Sequence, residues 1–266
     1  MQFFVDGVPL KDPNRRWNVM VGTAVTSPIT KRNASVTVPG VSGVRRSIVA
    51  PFEAPQVPIE LRIYGINRDD MQANWSALMG VLDRGEKLVR VTDNISQSAD
   101  MELVSVAEPD YNVVQSTLTA RALVRLNSVF WKSDLSVFTG AVCMNTVTTL
   151  DVSTAPITDL EFRIKGPITD PTIFSGSTWV KVSETLSGSD YLVISCADFT
   201  ARKGAADWDS GGTSVVLETS GGPYALVAEP DMQSTDPRET EIVVTLAGSG
   251  TSGATEFYVR GRTTWI

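Results

Sequence analysis

Of 266 residues, only Asn67 to Gly85 repeats its apolar side chains at helical spacing: Met71, Trp75, Leu78 and Leu82 follow one another at intervals of four, three and four. That spacing puts them on one face of a 3.6-residue period, a face that must be buried against something. Asp69 is predicted as the N-cap, with Gln72 three residues later in the capping-box position, and Gly85 as the left-handed residue that ends the helix. β-type runs flank it, Val57 to Tyr64 before and Lys87 to Thr92 after. One helix between strands, in a chain otherwise rich in Val, Thr, Ser and Gly, predicts a β-structure plugged or flanked by a single helix.

Composition narrows the function classes. The chain has no histidine, which removes the commonest general base near neutral pH and the commonest transition-metal ligand. Serine triads, His-based zinc sites and His relays are excluded. The hydrophobic fraction of 42% with 20% charged residues is that of a folded globular chain. No apolar run approaches the roughly 18 residues a membrane span needs, and no secretory leader opens the chain, so a cytosol-like compartment is expected until assembly. In that compartment Cys143 and Cys196 are expected as buried, reduced thiols, a disulfide between them being the alternative. Residues 1–134 hold 15 Lys and Arg against 14 Asp and Glu (+1), and residues 135–266 hold 8 against 16 (−8), together the net −7. The acidic second half repels nucleic-acid phosphates, and the asymmetry marks a boundary near the middle.

In chain order, Met1 to Leu10 is predicted as a hairpin turning at Asp6-Gly7, and Arg15 to Thr26 as a half-buried strand around Trp17, Val19, Val21 and Val25. Ser27 to Pro58 is punctuated by five prolines and the basic pairs Lys31-Arg32 and Arg45-Arg46, which reads as a long loop with short strands such as Ala34 to Val38 embedded in it. Its readings are a subunit contact, a passive surface excursion or a ligand loop. After the helix come Lys87 to Thr92, Met101 to Glu108 and Val113 to Phe130, with Pro109-Asp110-Tyr111-Asn112 as a turn. Alternation in the last run puts Arg121 and Arg125 on one face of a long strand whose overhang is expected to pair with a neighbour. About eight further strands follow: Val137–Leu150, Leu160–Lys165, Thr178–Val182, Tyr191–Cys196, Ser214–Glu218, Tyr224–Val227, Glu241–Leu246 and Glu256–Thr264. Gly166-Pro167, Asp170-Pro171 and Gly-rich turns separate them, the pattern of an antiparallel sandwich.

Motifs for chemistry are weak. Gly248-Ser-Gly250-Thr-Ser-Gly253 matches G-x-G-x-x-G but is followed by the strand-like Glu256 to Arg260 instead of a helix, so it is read as a hairpin loop and not a nucleotide site. Asp207, Asp209, Gly212 and Glu218 fall on calcium-loop positions, yet Gly211 stands where a ligand belongs and no helices flank the run. No carboxylate pair singles itself out for glycoside hydrolysis. Trp179, Trp208 and Trp265 are candidates for a sugar platform, with core or interface packing as the competing reading. No catalytic residue, metal ligand or cofactor is expected.

The order of parts runs from Gly22-Thr23 and the loop holding Val36-Thr-Val-Pro-Gly40-Val-Ser-Gly43, through Ile59-Glu-Leu-Arg-Ile-Tyr64, the helix and the long hairpin over 101–130. It continues with Leu160-Glu-Phe-Arg-Ile-Lys-Gly166-Pro167 and Asp170-Pro171, and ends on Tyr258-Val-Arg-Gly-Arg-Thr-Thr-Trp265. This resembles the distal tail proteins of long-tailed (siphovirus-type) bacteriophages over nearly the whole chain. The resemblance implies a mainly β chain: residues 1–134 as a ring-forming, tail-tube-like split β-barrel with one flanking helix, residues 135–266 as an outward-facing, galectin-like β-sandwich. It implies a virion structural protein at the tail tip, assembled in the host cytoplasm as a homo-oligomeric, hexameric ring between the tail tube protein and a tail-associated lysin-like hub protein. Tape measure and receptor-binding proteins are further partners in such assemblies, and DNA is only cargo in the lumen. With an enzyme set aside, Lys31, Arg32, Arg45, Arg46, Arg121 and Arg125 are the expected subunit-contact residues, and Trp179 and Trp208 the glycan or partner contacts. The alternatives are a carbohydrate-binding module for a host wall sugar and a tail tube subunit.

Overall fold

The computed structural model describes residues 2–20, 53–92, 95–112, 116–133, 153–204, 208, 211–221, 224–230 and 242–265, and the backbone alone of short strands at 35–36, 45–46, 136–138 and 147–150. The chain is mainly β and divides into two compact units, Met1–Trp131 and Lys132–Trp265.

In the first unit the strands are β1 (Gln2–Val5), β2 (Val8–Pro9), β3 (Trp17–Val19), β4 (Ser35–Val36), β5 (Arg45–Arg46) and β6 (Gln56–Tyr64), followed by the helix α1 (Arg68–Arg84). Then come β7 (Lys87–Thr92), β8 (Ile95–Val106), β9 (Asp110–Asn112) and β10 (Thr117–Leu126). The main sheet runs β2-β1-β7-β8-β10-β6-β3 and curls into a half-barrel. Two-residue alternation drives it: Val57, Ile59, Leu61 and Ile63 of β6 and Leu118, Ala120, Ala122, Val124 and Leu126 of β10 are all buried. Met71, Leu78 and Leu82 of α1 join this core, while Trp75 is only half-buried. The β1–β2 hairpin turns at Asp6 and Gly7, both at positive φ (46° and 82°), as its two-residue turn requires. The Asp6 carboxylate also accepts from the backbone amides of Glu86 and Lys87, tying the hairpin to the end of α1.

Both helix ends differ from expectation. Asn67, in extended conformation, is the N-cap, its side chain accepting from Asp70 N at 2.8 Å, and Asp70 accepts in return from Ile66 N at 2.8 Å. Asp69 is the second residue of the helix, where its charge favours the dipole without capping. Gly85 is not left-handed but extended (φ −69°, ψ 128°), leading directly to β7. Glycine is needed there for space, because a Cβ would run into Val5 Cγ1. The expected turn over Pro109 to Asn112 is also corrected: Asp110–Asn112 is strand β9, paired with β10 from Thr117 to Thr119.

β11 (Trp131–Ser133) spans the boundary. The second unit then holds β12 (Ser136–Phe138), β13 (Val147–Leu150), β14 (Glu161–Lys165), β15 (Ile168–Ser175), β16 (Thr178–Lys181), β17 (Thr185–Leu186) and β18 (Tyr191–Ser195). It closes with β19 (Thr200–Lys203), β20 (Thr213–Val215), β21 (Glu218–Thr219), β22 (Ile242–Ser249), β23 (Glu256–Gly261) and β24 (Thr264–Trp265). Two antiparallel sheets, β12-β23-β14-β18-β19-β20 and β13-β22-β15-β16-β21, enclose one core. Phe162 and Phe257 stack in it at 5.9 Å, with Ile173, Val180 and Val244 from the opposite sheet.

Four predicted features of this half change. Val137 to Leu150 splits into β12 and β13, which belong to different sheets. Asp170-Pro171 is no turn but an irregularity inside β15, where the register to β22 shifts between Thr169 and Thr172 and Asp170 takes φ 51°, so a strand carries a proline whose missing amide the ladder does not need. Gly248 to Gly253 joins β22 to β23 across the two sheets, so it is not a hairpin loop. Tyr224 to Val227 is not a strand; a single bridge pairs Ala228 with Ile157 nearby.

Candidate functional site

The residues expected at a subunit contact belong to three segments of the chain. Lys31 and Arg32 lie outside the described residues. Arg45 and Arg46 form β5, paired with Val36 and Ser35 of β4. Arg121 and Arg125 do share the outward face of β10, Arg121 exposed and Arg125 bonded to Glu102 at 2.9 Å within the same unit. Among the described residues their strand has no overhang: β10 pairs with β6 from Thr117 to Arg125 on one side and with β9 and β8 on the other. β9 pairs only with β10 among the described residues, and β8 and β9 expose Val104 and Tyr111.

Little points to chemistry. No group of three metal-ligating side chains exists among the described residues, and no helix there is long and apolar enough to cross a membrane. Of the calcium-loop pattern, Asp207 and Asp209 lie outside the described residues, and Glu218 accepts from the Ser183 hydroxyl at 2.7 Å. Cys196 is buried, and burial pushes its thiol up to about 12, so it is inert as a nucleophile. Cys143 lies outside the described residues.

The two candidate tryptophans sit on opposite outer faces of the sandwich, with opposite surroundings. On the β14 sheet, register aligns Tyr258, Arg163, Val193 and Arg202 in one outward row. Trp208 lies across this face: the Arg163 guanidinium is 5.3 Å and the Arg260 guanidinium 4.8 Å from its ring, and its carbonyl accepts from Arg202 Nη2 at 3.0 Å. Arg163 also stacks on Tyr258 at 4.6 Å. Glu161 pairs with Arg260, and Glu256 accepts from Lys165 at 3.0 Å and from the Tyr258 hydroxyl at 2.6 Å. The Tyr258 hydroxyl and then the Lys165 ammonium hold the Glu256 carboxyl below its usual range, and Glu256 in turn pushes Lys165 and Tyr258 up. Val193, on the outer row, is only 2% exposed: the chain's own side chains cover this face.

On the other sheet, register places Thr245 of β22, Phe174 of β15 and Trp179 of β16 side by side on the outer face, and Ser220 follows, its hydroxyl accepting from Trp179 N at 3.2 Å. Phe174 is 39% exposed, Val243 38%, and Trp179 is half-buried. At the end of this row, beside the β15–β16 turn, a cavity is lined by Ser175, Ser177, Thr178, Val227, Glu229 and Val243. Ser175 and Thr178 spend their hydroxyls on the backbone of Val243 and Val227, and Ser177 and Glu229 belong to the same lining.

Comparison with known proteins adds the fold. No protein-family model and no curated protein matches the sequence. The crystal structure of the SPP1 Dit (gp 19.1) protein, described as a paradigm of the hub adsorption apparatus in Gram-positive infecting phages, superposes over 100% of this chain and 99% of its own, with a TM-score of 0.61 at 10% identity. The fold is that of SPP1 Dit. Chains of the phage P2 baseplate in its activated conformation, with Ca and with Sr, align over the same spans at 12% identity, with TM-scores of 0.43 and 0.42, below what identifies a shared fold. The Dit match takes in the half-barrel and the sandwich together, so the whole succession of parts is common to both chains.

Proposed function

We propose that this chain is a structural subunit of a phage tail tip, a hub that closes into a ring between the tail tube and the tip proteins. The observation that carries the reading is the full-length match to the fold of SPP1 Dit, a protein described as belonging to a hub adsorption apparatus. In this reading the first unit forms the ring, which is a hexamer, and continues the channel, through which DNA passes as cargo. The second unit faces outward as an attachment platform. The tail tube protein and a tail-associated lysin-like hub protein are the neighbours along the axis, with tape measure and receptor-binding proteins as further partners, and the chain has no catalytic role. The exposed Val104 and Tyr111, the two-stranded β4–β5 segment with Arg45 and Arg46, and the outward Arg121 support a contact made by unlike patches, the kind that closes rings. Native mass spectrometry and negative-stain imaging of the purified chain test it. Closed rings are expected; a chain that stays monomeric at high concentration and is missing from purified particles overturns the proposal, and stacking into long tubes assigns it to the tube instead.

A further inference from the structure

One row of the first unit's main sheet runs out of cover. Register sets Trp17 of β3, Ile63 of β6, Leu118 of β10 and Tyr111 of β9 side by side on the core face. Along that row exposure is 3%, 0%, 5% and then 38%, so the tyrosine stands on the core side of the sheet without being buried. Val104, where the register of β8 to β10 shifts, is 39% exposed. An aromatic ring left at the end of a core row is the kind of anchor that a second surface covers.

Charge says which surface. Val104 to Asn112 holds two carboxylates, Glu108 and Asp110, both exposed, and no cation. The cations of the neighbouring strands are matched elsewhere: Arg125 pairs with Glu102, Arg121 has Glu60 directly across from it, and Arg62 is two strands from Asp110, beyond Thr119. A surface that fits this rim is therefore both apolar and basic. The same unit contains such a stretch. Residues 27–52 are rich in Val and Ile and hold four cations, Lys31, Arg32, Arg45 and Arg46, with no carboxylate, in a chain of net charge −7. The strands of that stretch, β4 and β5, pair with each other and, among the described residues, with no strand of the main sheet.

We propose that the β9 rim of one copy, with Tyr111, Glu108 and Asp110, receives the β4–β5 pair of the next copy, Arg45 and Arg46 meeting the two carboxylates. This rests on the ring reading above and names the two unlike patches that meet. The sequence alone points to Arg45 and Arg46 as contact residues; the rim that receives them emerges only from register and exposure.

The test is a charge exchange on the full chain, read by native mass spectrometry. One variant carries Arg45→Glu and Arg46→Glu, the other Glu108→Lys and Asp110→Lys. Alone, each sets like charges against each other and is expected to need about a hundredfold more protein than the parent to assemble. Mixed, the two are expected to assemble again in rings that alternate them in equal numbers, because every junction then joins opposite charges. Tyr111→Ala is expected to weaken assembly about tenfold. Should a charge-reversed variant fail to fold, the neutral pairs Arg45→Gln with Arg46→Gln and Glu108→Gln with Asp110→Gln decide the matter: each is expected to weaken assembly about tenfold, and all four changes together no further than either pair. The proposal is overturned, with the ring reading intact, if the parent assembles and either reversed variant assembles equally well, if their mixture stays dissociated, or if the neutral pairs weaken assembly additively. Assembly by one chain carrying all four reversals, when the mixture fails, assigns the contact to a single chain and equally overturns it. A parent that never assembles overturns the ring reading, and this contact with it.

Discussion

The two outer faces of the sandwich start from the same material and end differently. Each is the outward row of an antiparallel sheet over one shared core, and each carries a tryptophan. On the β14 sheet the rings of Trp208 and Tyr258 are matched by Arg163 and Arg260, the arginine charge by Glu161, and Lys165 by Glu256, until even Val193 is hidden. On the β22-β15-β16 strands the aromatic pair is flanked in its own row by the Thr245 and Ser220 hydroxyls. The difference teaches that exposure here follows from which charged side chains share the register, and not from hydrophobicity: arginine opposite tyrosine closes a face, threonine opposite phenylalanine leaves it open.

The sharpest control lies beneath both faces. Phe162 is fully buried against Phe257, so Phe162→Ala removes core volume common to the two sheets and is expected to cost ~3–5 kcal/mol in denaturant unfolding. A loss below ~2 kcal/mol means the sheets repack freely, and then a contrast between their outer faces has no fixed reference. Next in size, Trp208→Ala removes the aromatic surface under two guanidiniums and is expected to cost ~1–2 kcal/mol. If its unfolding midpoint matches the parent's, the covered face is not held by those stacks.

The covered face also carries a pH signature. Because the Glu256 carboxyl is held below its ordinary 4.5, its contribution is complete above that value and disappears as pH falls through the lowered one. Lys165 and Tyr258 are shifted up from 10.5 and 10.0, so their contributions are complete below those values and fade as pH rises past them. These groups are solvent-accessible and the effect is small. Thermal melts of the parent and Glu256→Gln should differ most at neutral pH and converge below pH 4.5; a constant gap across the range refutes the assignment.

How much of this was legible in the sequence varies with the distance over which each feature is determined. The helix and its flanking strands are local, and periodicity finds them. Residue type alone does not separate Asp69 from Asn67 as N-cap, and the choice depends on which residue leaves the helical conformation. The sequence of β15 reads as turns because Pro167, Asp170 and Pro171 break it locally, whereas Ile173 and Ser175 are set by ladders to β22 and β16. For the same reason residue type singles out Trp179 but not Phe174, whose partner is visible only through register. Ser177 and Glu229 carry no sequence signal at all, since 52 positions separate them and only the closed sandwich brings both to one cavity.

The smallest effect is the most discriminating. If Phe174 is open because nothing among the described residues covers it, Phe174→Ala removes little that folding gained: at 39% exposure, with its inward neighbours Ile173 and Ser175 untouched, it is expected to shift stability by no more than ~0.5 kcal/mol. A core-like role predicts ten times that, and a role in strand pairing predicts a loss that Phe174→Thr, a β-branched replacement, restores. Near-neutrality in denaturant melts separates a side chain that the fold leaves outward from one that the fold is built on. A loss above ~1.5 kcal/mol places Phe174 in the packing of the sandwich, and the two faces then differ in degree only.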